Sequence, residues 1–145
     1  MTISTTKILL AEDFEPCRRL IASLLDKNPA FRIRCEASDG LEAVAKAQEL
    51  GPDVVLMDIG LPKLNGLEAA RRILDLIPSA KIIFLTQETD VDVMKEAFSL
   101  GAWGYVLKQE AEGDLLGALS AVLQGKRFLS NSARQMESCF CHQLN

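Results

Sequence analysis

The chain of 145 residues is 48% hydrophobic and 25% charged, which fits one domain with a core that needs no disulfide or metal staples. Its 16 Lys+Arg against 20 Asp+Glu leave a formal charge of −4, which speaks against wrapping nucleic acid or lying on an anionic membrane. The single histidine, His142, stands near the C-terminus, which speaks against a Ser-His-Asp triad or a histidine metal cage and leaves any chemistry to carboxylates.

Short apolar runs alternate with amphipathic segments. Lys7–Ala11 predicts a strand, followed by a helix over Pro16–Lys27 with Pro16 in its first turn. A strand at Ile33–Ala37 leads to a helix over Leu41–Leu50 that stops at Gly51-Pro52. Val54–Met57 is the third strand, and the helix Leu67–Ile77 ends before Pro78. Strand Lys81–Leu85 precedes a helix over Val91–Leu100 that Gly101 terminates. Strand Gly104–Leu107 precedes a helix over Glu110–Gln124, where Leu115, Leu116, Leu119, Val122 and Leu123 form one apolar stripe. Glu110, Glu112 and Asp114 open that helix, where carboxylates complement its dipole.

The strand runs are continuous rather than alternating, the pattern of strands buried on both faces. Five βα units in succession predict an α/β fold, a doubly wound five-stranded parallel sheet with five helices on its two faces. Ligands of such sheets bind outside the carboxyl ends of the strands, where strand order reverses. No apolar run, Val54–Met57 and Ile82–Leu85 included, approaches the roughly 18 residues of a membrane span. Met1–Thr6 lacks a signal peptide's apolar stretch. Cys17, Cys35, Cys139 and Cys141 follow no framework and read as reduced thiols of a cytoplasmic protein. Residues 1–129 form the domain and 130–145 a tail, in which Ser130, Asn131 and Ser132 offer helix caps and Ala133, Met136, Phe140 and Leu144 one helical face.

The strand ends carry the chemistry. The first strand ends in Ala11-Glu12-Asp13, the third in Met57-Asp58, the fourth in Leu85-Thr86 and the fifth in Leu107-Lys108. A lone acid after a strand is usually a cap and a lone lysine usually surface, but four ends of one sheet agree here. Crowded carboxylates repel unless a cation joins them, and oxygen ligands suit Mg²⁺. Lys108 supplies a point charge for a phosphoryl group, Thr86 a hydrogen bond to it, and an Asp can act as nucleophile to give an acyl phosphate.

These residues resemble the receiver domain of bacterial two-component response regulators. The matching segments are Ile8-Leu9-Leu10-Ala11-Glu12-Asp13, Val54-Val55-Leu56-Met57-Asp58-Ile59-Gly60-Leu61-Pro62, Asn65-Gly66-Leu67-Glu68-Ala69, Ile82-Ile83-Phe84-Leu85-Thr86 and Gly101-Ala102-Trp103-Gly104-Tyr105-Val106-Leu107-Lys108. The likeness spans about residues 5–129 and implies the flavodoxin-like strand order 2-1-3-4-5. By it, Asp58 is the phospho-acceptor. Glu12, Asp13 and Asp58 with the Gly60 backbone carbonyl hold Mg²⁺, Thr86 and Lys108 contact the phosphoryl group, and Tyr105 is the switch aromatic that turns inward as the threonine moves. A sensor histidine kinase is the implied donor and a phosphorylation-dependent homodimer the implied response, expressed on the surface of helix four, strand five and helix five.

Gln109 where many receivers have proline, with the ending Gly125-Lys126-Arg127-Phe128-Leu129-Ser130, looks like the NarL/LuxR-type transcriptional regulators. In that group DNA is bound by an output domain, which this chain lacks, and the tail looks like the start of the linker. Glu12 stands where the family often has Asp, and Asn65 replaces a common Asp while keeping a turn or cap. Gly60 and Glu88 occupy positions that influence dephosphorylation in the family.

Other readings weigh less. Cys139, Cys141 and His142 are incomplete for structural zinc, Trp103 suits packing or a partner surface, and Arg71-Arg72 and Lys126-Arg127 suit solvated faces. No glycine-rich nucleotide loop is present. The alternatives are a receiver-like interaction module that works without phosphorylation, a stand-alone single-domain regulator, and a dehalogenase-like phosphatase, whose Asp-x-Asp signature Gly60 breaks. The first reading is a regulatory domain that assists its own phosphorylation, not an enzyme.

Overall fold

A computed structural model describes residues 5–130. Its elements follow in the order β1 (Thr6–Ala11), α1 (Glu15–Leu25), β2 (Phe31–Ala37), α2 (Gly40–Leu50), β3 (Val54–Met57), α3 (Gly66–Leu76), β4 (Lys81–Thr86), α4 (Val91–Ser99), β5 (Gly104–Leu107), α5 (Ala111–Leu123) and β6 (Phe128–Leu129). A single 3-10 turn, Lys108–Glu110, joins β5 to α5, so Glu110 precedes the fifth helix instead of opening it.

The sheet is parallel throughout, in the order β2-β1-β3-β4-β5-β6. This is the expected order 2-1-3-4-5 with one short strand added outside β5. Successive strand residues point to opposite faces, and both faces are covered. Leu9, Val55, Met57, Ile82 and Phe84 pack with Ala43 and Ala47 of α2, Ile73 of α3 and Met94 of α4. Their neighbours Ile8, Leu10, Val54, Leu56 and Ile83 pack with Ile21 and Leu24 of α1 and Leu115 and Leu119 of α5. Two-sided burial is why the strand runs are continuous.

Strand β2 departs from the expectation. It begins at Phe31, and Arg32, Arg34 and Glu36 are exposed. Its register slips between Ile8↔Ile33 and Leu9↔Cys35, leaving Arg34 as an extra residue. The slip sends Ile33 to one face of the sheet and Cys35 to the other, the usual effect of a bulge. Charged side chains on an edge strand also discourage pairing with another chain.

The starts of α2, α3 and α4 are capped by short polar side chains, each taking an orphan amide. Asp39 accepts from Glu42 N–H at 2.7 Å, Asn65 from Glu68 N–H at 3.0 Å, and Asp90 from Asp92 N–H at 2.8 Å. Gly51 closes α2 in the left-handed conformation, φ 62°. Ser130, one of the cap candidates, is instead fully buried beside β5. Asn131, Ser132, the tail helix and Cys139, Cys141 and His142 lie outside the described residues. Among the described residues no helix is long and apolar enough to cross a membrane.

Candidate functional site at the carboxyl edge of the sheet

Parallel strands deliver their last residues to one edge. Strand order reverses at β1, whose neighbours are β2 and β3, and the crevice that follows is where open α/β sheets bind ligands. Glu12, Asp13, Asp58, Gly60, Thr86 and Lys108 all line one open cleft there. Tyr105 stands apart, fully buried beneath it in β5.

Lys108 organises the cleft. Its Nζ lies 2.8 Å from Glu12 Oε2 and donates to Asp58 Oδ2 at 3.1 Å. Glu12 is 1% exposed and Asp58 8% exposed, whereas Asp13 opens to solvent. Glu12 gains further support from the Phe14 N–H, 3.1 Å from Oε1, and its carbonyl accepts from Arg18 Nη1 at 3.0 Å. Asp58 Oδ1 accepts from Gly60 N–H at 3.3 Å. Burial pushes the Glu12 carboxyl above its ordinary pKa, with the charge of Asp58 adding to it, and the Lys108 hydrogen bond only partly offsets this. For Lys108 burial acts downward, but Glu12 and Asp58 together outweigh it and hold the ammonium above its usual value.

Carboxylate oxygens of Glu12, Asp13 and Asp58 lie within 4.8 Å of one another. Three hard oxygen donors, one of them solvent-facing, suit a cation that keeps part of its water shell. The residues fit Mg²⁺ on this chemistry. Cys17 is half-buried beside Glu12, and burial with the neighbouring carboxylate raises its thiol pKa, which makes it an inert neighbour.

Thr86 and Tyr105 meet on one backbone segment. The Thr86 hydroxyl accepts from Glu88 N–H at 3.1 Å, while the Tyr105 hydroxyl donates to the Glu88 carbonyl at 2.8 Å. Tyr105 is buried with its hydroxyl on the same loop after β4 that Thr86 holds. Burial first, then the charges of Glu88 and Asp90, push the Tyr105 phenol well above its ordinary pKa, so it remains a donor.

Sequence reasoning did not find Arg18, the Phe14 amide, the backbone of Glu88 or Ser130 as supports of the site. Two of these, the Phe14 amide and the Glu88 backbone, act through main-chain atoms, which no residue pattern reports. The remaining side features are structural. Trp103 packs on the second core with Lys81 Nζ 3.8 Å from its ring centroid. Arg71 pairs with Glu96 at 2.9 Å and Arg72 with Glu68 at 3.7 Å.

Comparison with known proteins identifies the family. Residues 8–120 match the response regulator receiver domain family. The transcriptional regulatory protein LnrK of Bacillus subtilis is 38% identical over 119 residues, 82% of this chain and 54% of LnrK. The crystal structure of a LuxR-family two-component response regulator from Aurantimonas sp. SI85-9A1 superposes with a TM-score of 0.87 at 34% identity, covering 92% of this chain and 95% of that one. The isolated receiver of RcsB from Salmonella enterica serovar Typhimurium, solved with the phosphomimetic BeF₃⁻, gives 0.85 at 26% identity over 92% and 99%. RcsB has also been solved as dimers bound to DNA. The chain spans about half the length of curated relatives such as LnrK. A doubly wound sheet with this acid, hydroxyl and ammonium edge belongs to the response regulator receiver family, and the chain is a two-component receiver domain of the LuxR/NarL type.

Proposed function

We propose that Asp58 is the phospho-acceptor of this receiver, and that its phosphorylation by a sensor histidine kinase switches a surface used for dimerisation and for control of transcription. The observation that carries this reading is Lys108 bridging Glu12 and Asp58 in the open cleft. A carboxylate so placed has a cation ready for the charge that arrives with a phosphoryl group.

In the reaction a carboxylate oxygen of Asp58 attacks the phosphorus of a phosphohistidine. The P–N bond breaks, the freed imidazole nitrogen takes a proton from water, and an acyl phosphate remains. Lys108 stays on the new anionic group. Thr86 exchanges the Glu88 amide for a phosphoryl oxygen, and the loop released from Thr86 stays anchored to Tyr105 through the Glu88 carbonyl. Two arrangements of one loop are the bistable element that charge biases. Glu12, Asp13, Asp58 and the Gly60 carbonyl would hold Mg²⁺, which when bound neutralises charge on the transferring group.

The domain assists its own modification rather than turning over a substrate. RcsB has been solved as dimers bound to DNA, and by analogy contact with DNA would fall to an output domain of the regulator, in the cytoplasm. Intact-mass spectrometry after incubation with acetyl phosphate is expected to detect one added phosphoryl group that requires Mg²⁺ and is absent in Asp58→Asn. A wild-type chain that gains nothing under conditions that capture short-lived species would leave the phosphorylation-independent module as the better reading.

A further inference from the structure

β6 runs parallel to β5, so its end arrives at the same edge as Glu12, Asp58, Thr86 and Lys108. Among the bonds that hold it, Phe128 N–H donates to the Trp103 carbonyl and Ser130 N–H to the Tyr105 carbonyl, both at 3.0 Å. The next rung is different. Leu107 N–H, which a continuing strand would give to a main-chain carbonyl, donates to the side-chain Oγ of Ser130 at 3.2 Å. Ser130 is fully buried. Its hydroxyl, a side-chain acceptor, satisfies the last amide of β5.

Leu107 is a junction. It directly precedes Lys108, which holds Glu12 and Asp58, and it is the register partner of Thr86 across the β4–β5 ladder. The chain beyond residue 130 therefore departs from a residue hydrogen-bonded to the strand end that sets both phosphoryl-contacting side chains.

We propose that Ser130 is a positioning residue, a latch that fixes the end of β5, and with it Lys108 and Thr86, and that ties the departure of the following chain to the state of the site. This inference rests on reading Asp58 as the phospho-acceptor. Coupling of this kind is reciprocal: if occupancy at Asp58 loosens or tightens the latch, loss of the latch changes occupancy.

The test uses the full chain as wild type, Ser130→Ala and Ser130→Thr, followed by amide NMR with and without Mg²⁺ and beryllofluoride. In the wild type, beryllofluoride is expected to shift the Leu107, Leu129 and Ser130 amides together with those of Thr86 and Lys108. Ser130→Ala is expected to speed Leu107 amide exchange and to weaken beryllofluoride binding, each by about two- to tenfold, the range of one net hydrogen bond. Ser130→Thr, which keeps the hydroxyl, is expected to restore both, and the exchange of core amides such as Leu56 reports whether each variant is folded. The latch is overturned if the alanine variant exchanges faster at Leu107 yet binds beryllofluoride like the wild type, or if residues 128–130 ignore beryllofluoride. A wild type that takes up no beryllofluoride sinks the Asp58 reading separately. Positioning is then decided without ligand, by whether Ser130→Ala moves the Lys108 signals or leaves them in place.

Discussion

Lys108 and Glu12 form an ion pair of 2.8 Å in which the carboxylate is almost wholly withdrawn from solvent and the ammonium is 17% exposed. The pair is an arrangement of opposed charges that only works while the cation stays. Asp58, 3.1 Å from the same ammonium, makes the lysine a shared counter-ion for two acids. Replacing it by methionine keeps the stem and removes the charge, leaving two crowded carboxylates. Breaking a fully buried pair costs ~3–5 kcal/mol; the open Asp13 side of this cleft places Lys108→Met below that range. A divalent cation can take over the lost charge. Urea denaturation is therefore expected to give a destabilised variant that Mg²⁺ stabilises more than it stabilises the wild type. Equal stability of the two proteins without metal would contradict the shared counter-ion.

Glu12 and Asp39 act on stability at opposite ends of the acid range. Burial raises the Glu12 pKa in the folded protein, so in metal-free protein its contribution is fully present below the unfolded value and is lost as pH rises through the raised folded value. The cap bond from Glu42 N–H, with Lys63 nearby, lowers the Asp39 pKa. That contribution is present above the unfolded value and is lost as pH falls through the depressed one. Metal-free stability is thus expected to rise on mild acidification and to fall again at lower pH, with Glu12→Gln removing the rise. Mg²⁺ requires the ionised carboxylate, so its affinity should drop over the same mildly acidic range in which the metal-free protein gains stability. Thermal melts with and without Mg²⁺ across pH check both signs.

Tyr105 is the only ring whose hydroxyl reaches the loop after β4 among the described residues, through the 2.8 Å bond to the Glu88 carbonyl. Tyr105→Phe keeps the buried ring and deletes that bond, at a cost of about 0.5–1.5 kcal/mol. Its raised pKa means the tyrosine contributes stability that is fully present below the unfolded value and is lost only as pH rises through the higher folded value. The phenylalanine variant should be less stable at neutral pH and should lack this alkaline loss. Denaturation curves at neutral and alkaline pH that are parallel for the two proteins would refute the bond's role.

The strand ends were legible because the fold makes them so. Buried parallel strands read as unbroken apolar runs, and the first polar residue after each run marks the functional edge. That logic places Glu12, Asp13, Asp58, Thr86 and Lys108 at one edge of the sheet. It could not reveal β6, since Phe128-Leu129 is too short to carry a period and follows Gly125-Lys126-Arg127. It also mistook β2 for a fully buried strand: Ile33, Cys35 and Ala37 look like one face, but the bulge at Arg34 divides them between two. The supports of the site are invisible for another reason. The Phe14 amide, the Glu88 carbonyl and the Leu107 amide are present at every residue, and only the path of the chain decides which of them is used.

Gly66 and Gly113 contrast a glycine that packing demands with one that it does not. Gly66 opens α3 against the segment that follows β3: its N–H donates to the Ile59 carbonyl at 2.7 Å, and a Cβ there would lie 2.0 Å from the Asp58 carbonyl oxygen. Both atoms belong to backbone, so neither can yield without moving the segment that carries Asp58 and Gly60. A Cβ on Gly113, inside α5, would meet nothing within 4 Å. Gly113→Ala is therefore expected to stabilise the protein by up to about 1 kcal/mol through helix propensity. Gly66→Ala gains the same propensity in principle but forces the loop outward, with a net loss of about 1–3 kcal/mol typical of overpacking. Because the displaced atoms include the backbone of Asp58, the Gly66 variant should also lose phosphorylation by acetyl phosphate beyond what its stability explains, whereas the Gly113 variant should phosphorylate like the wild type. Measuring both variants at a temperature where each is fully folded separates the two effects. A Gly66→Ala protein with undiminished phosphorylation would show that the acceptor's position does not depend on this contact.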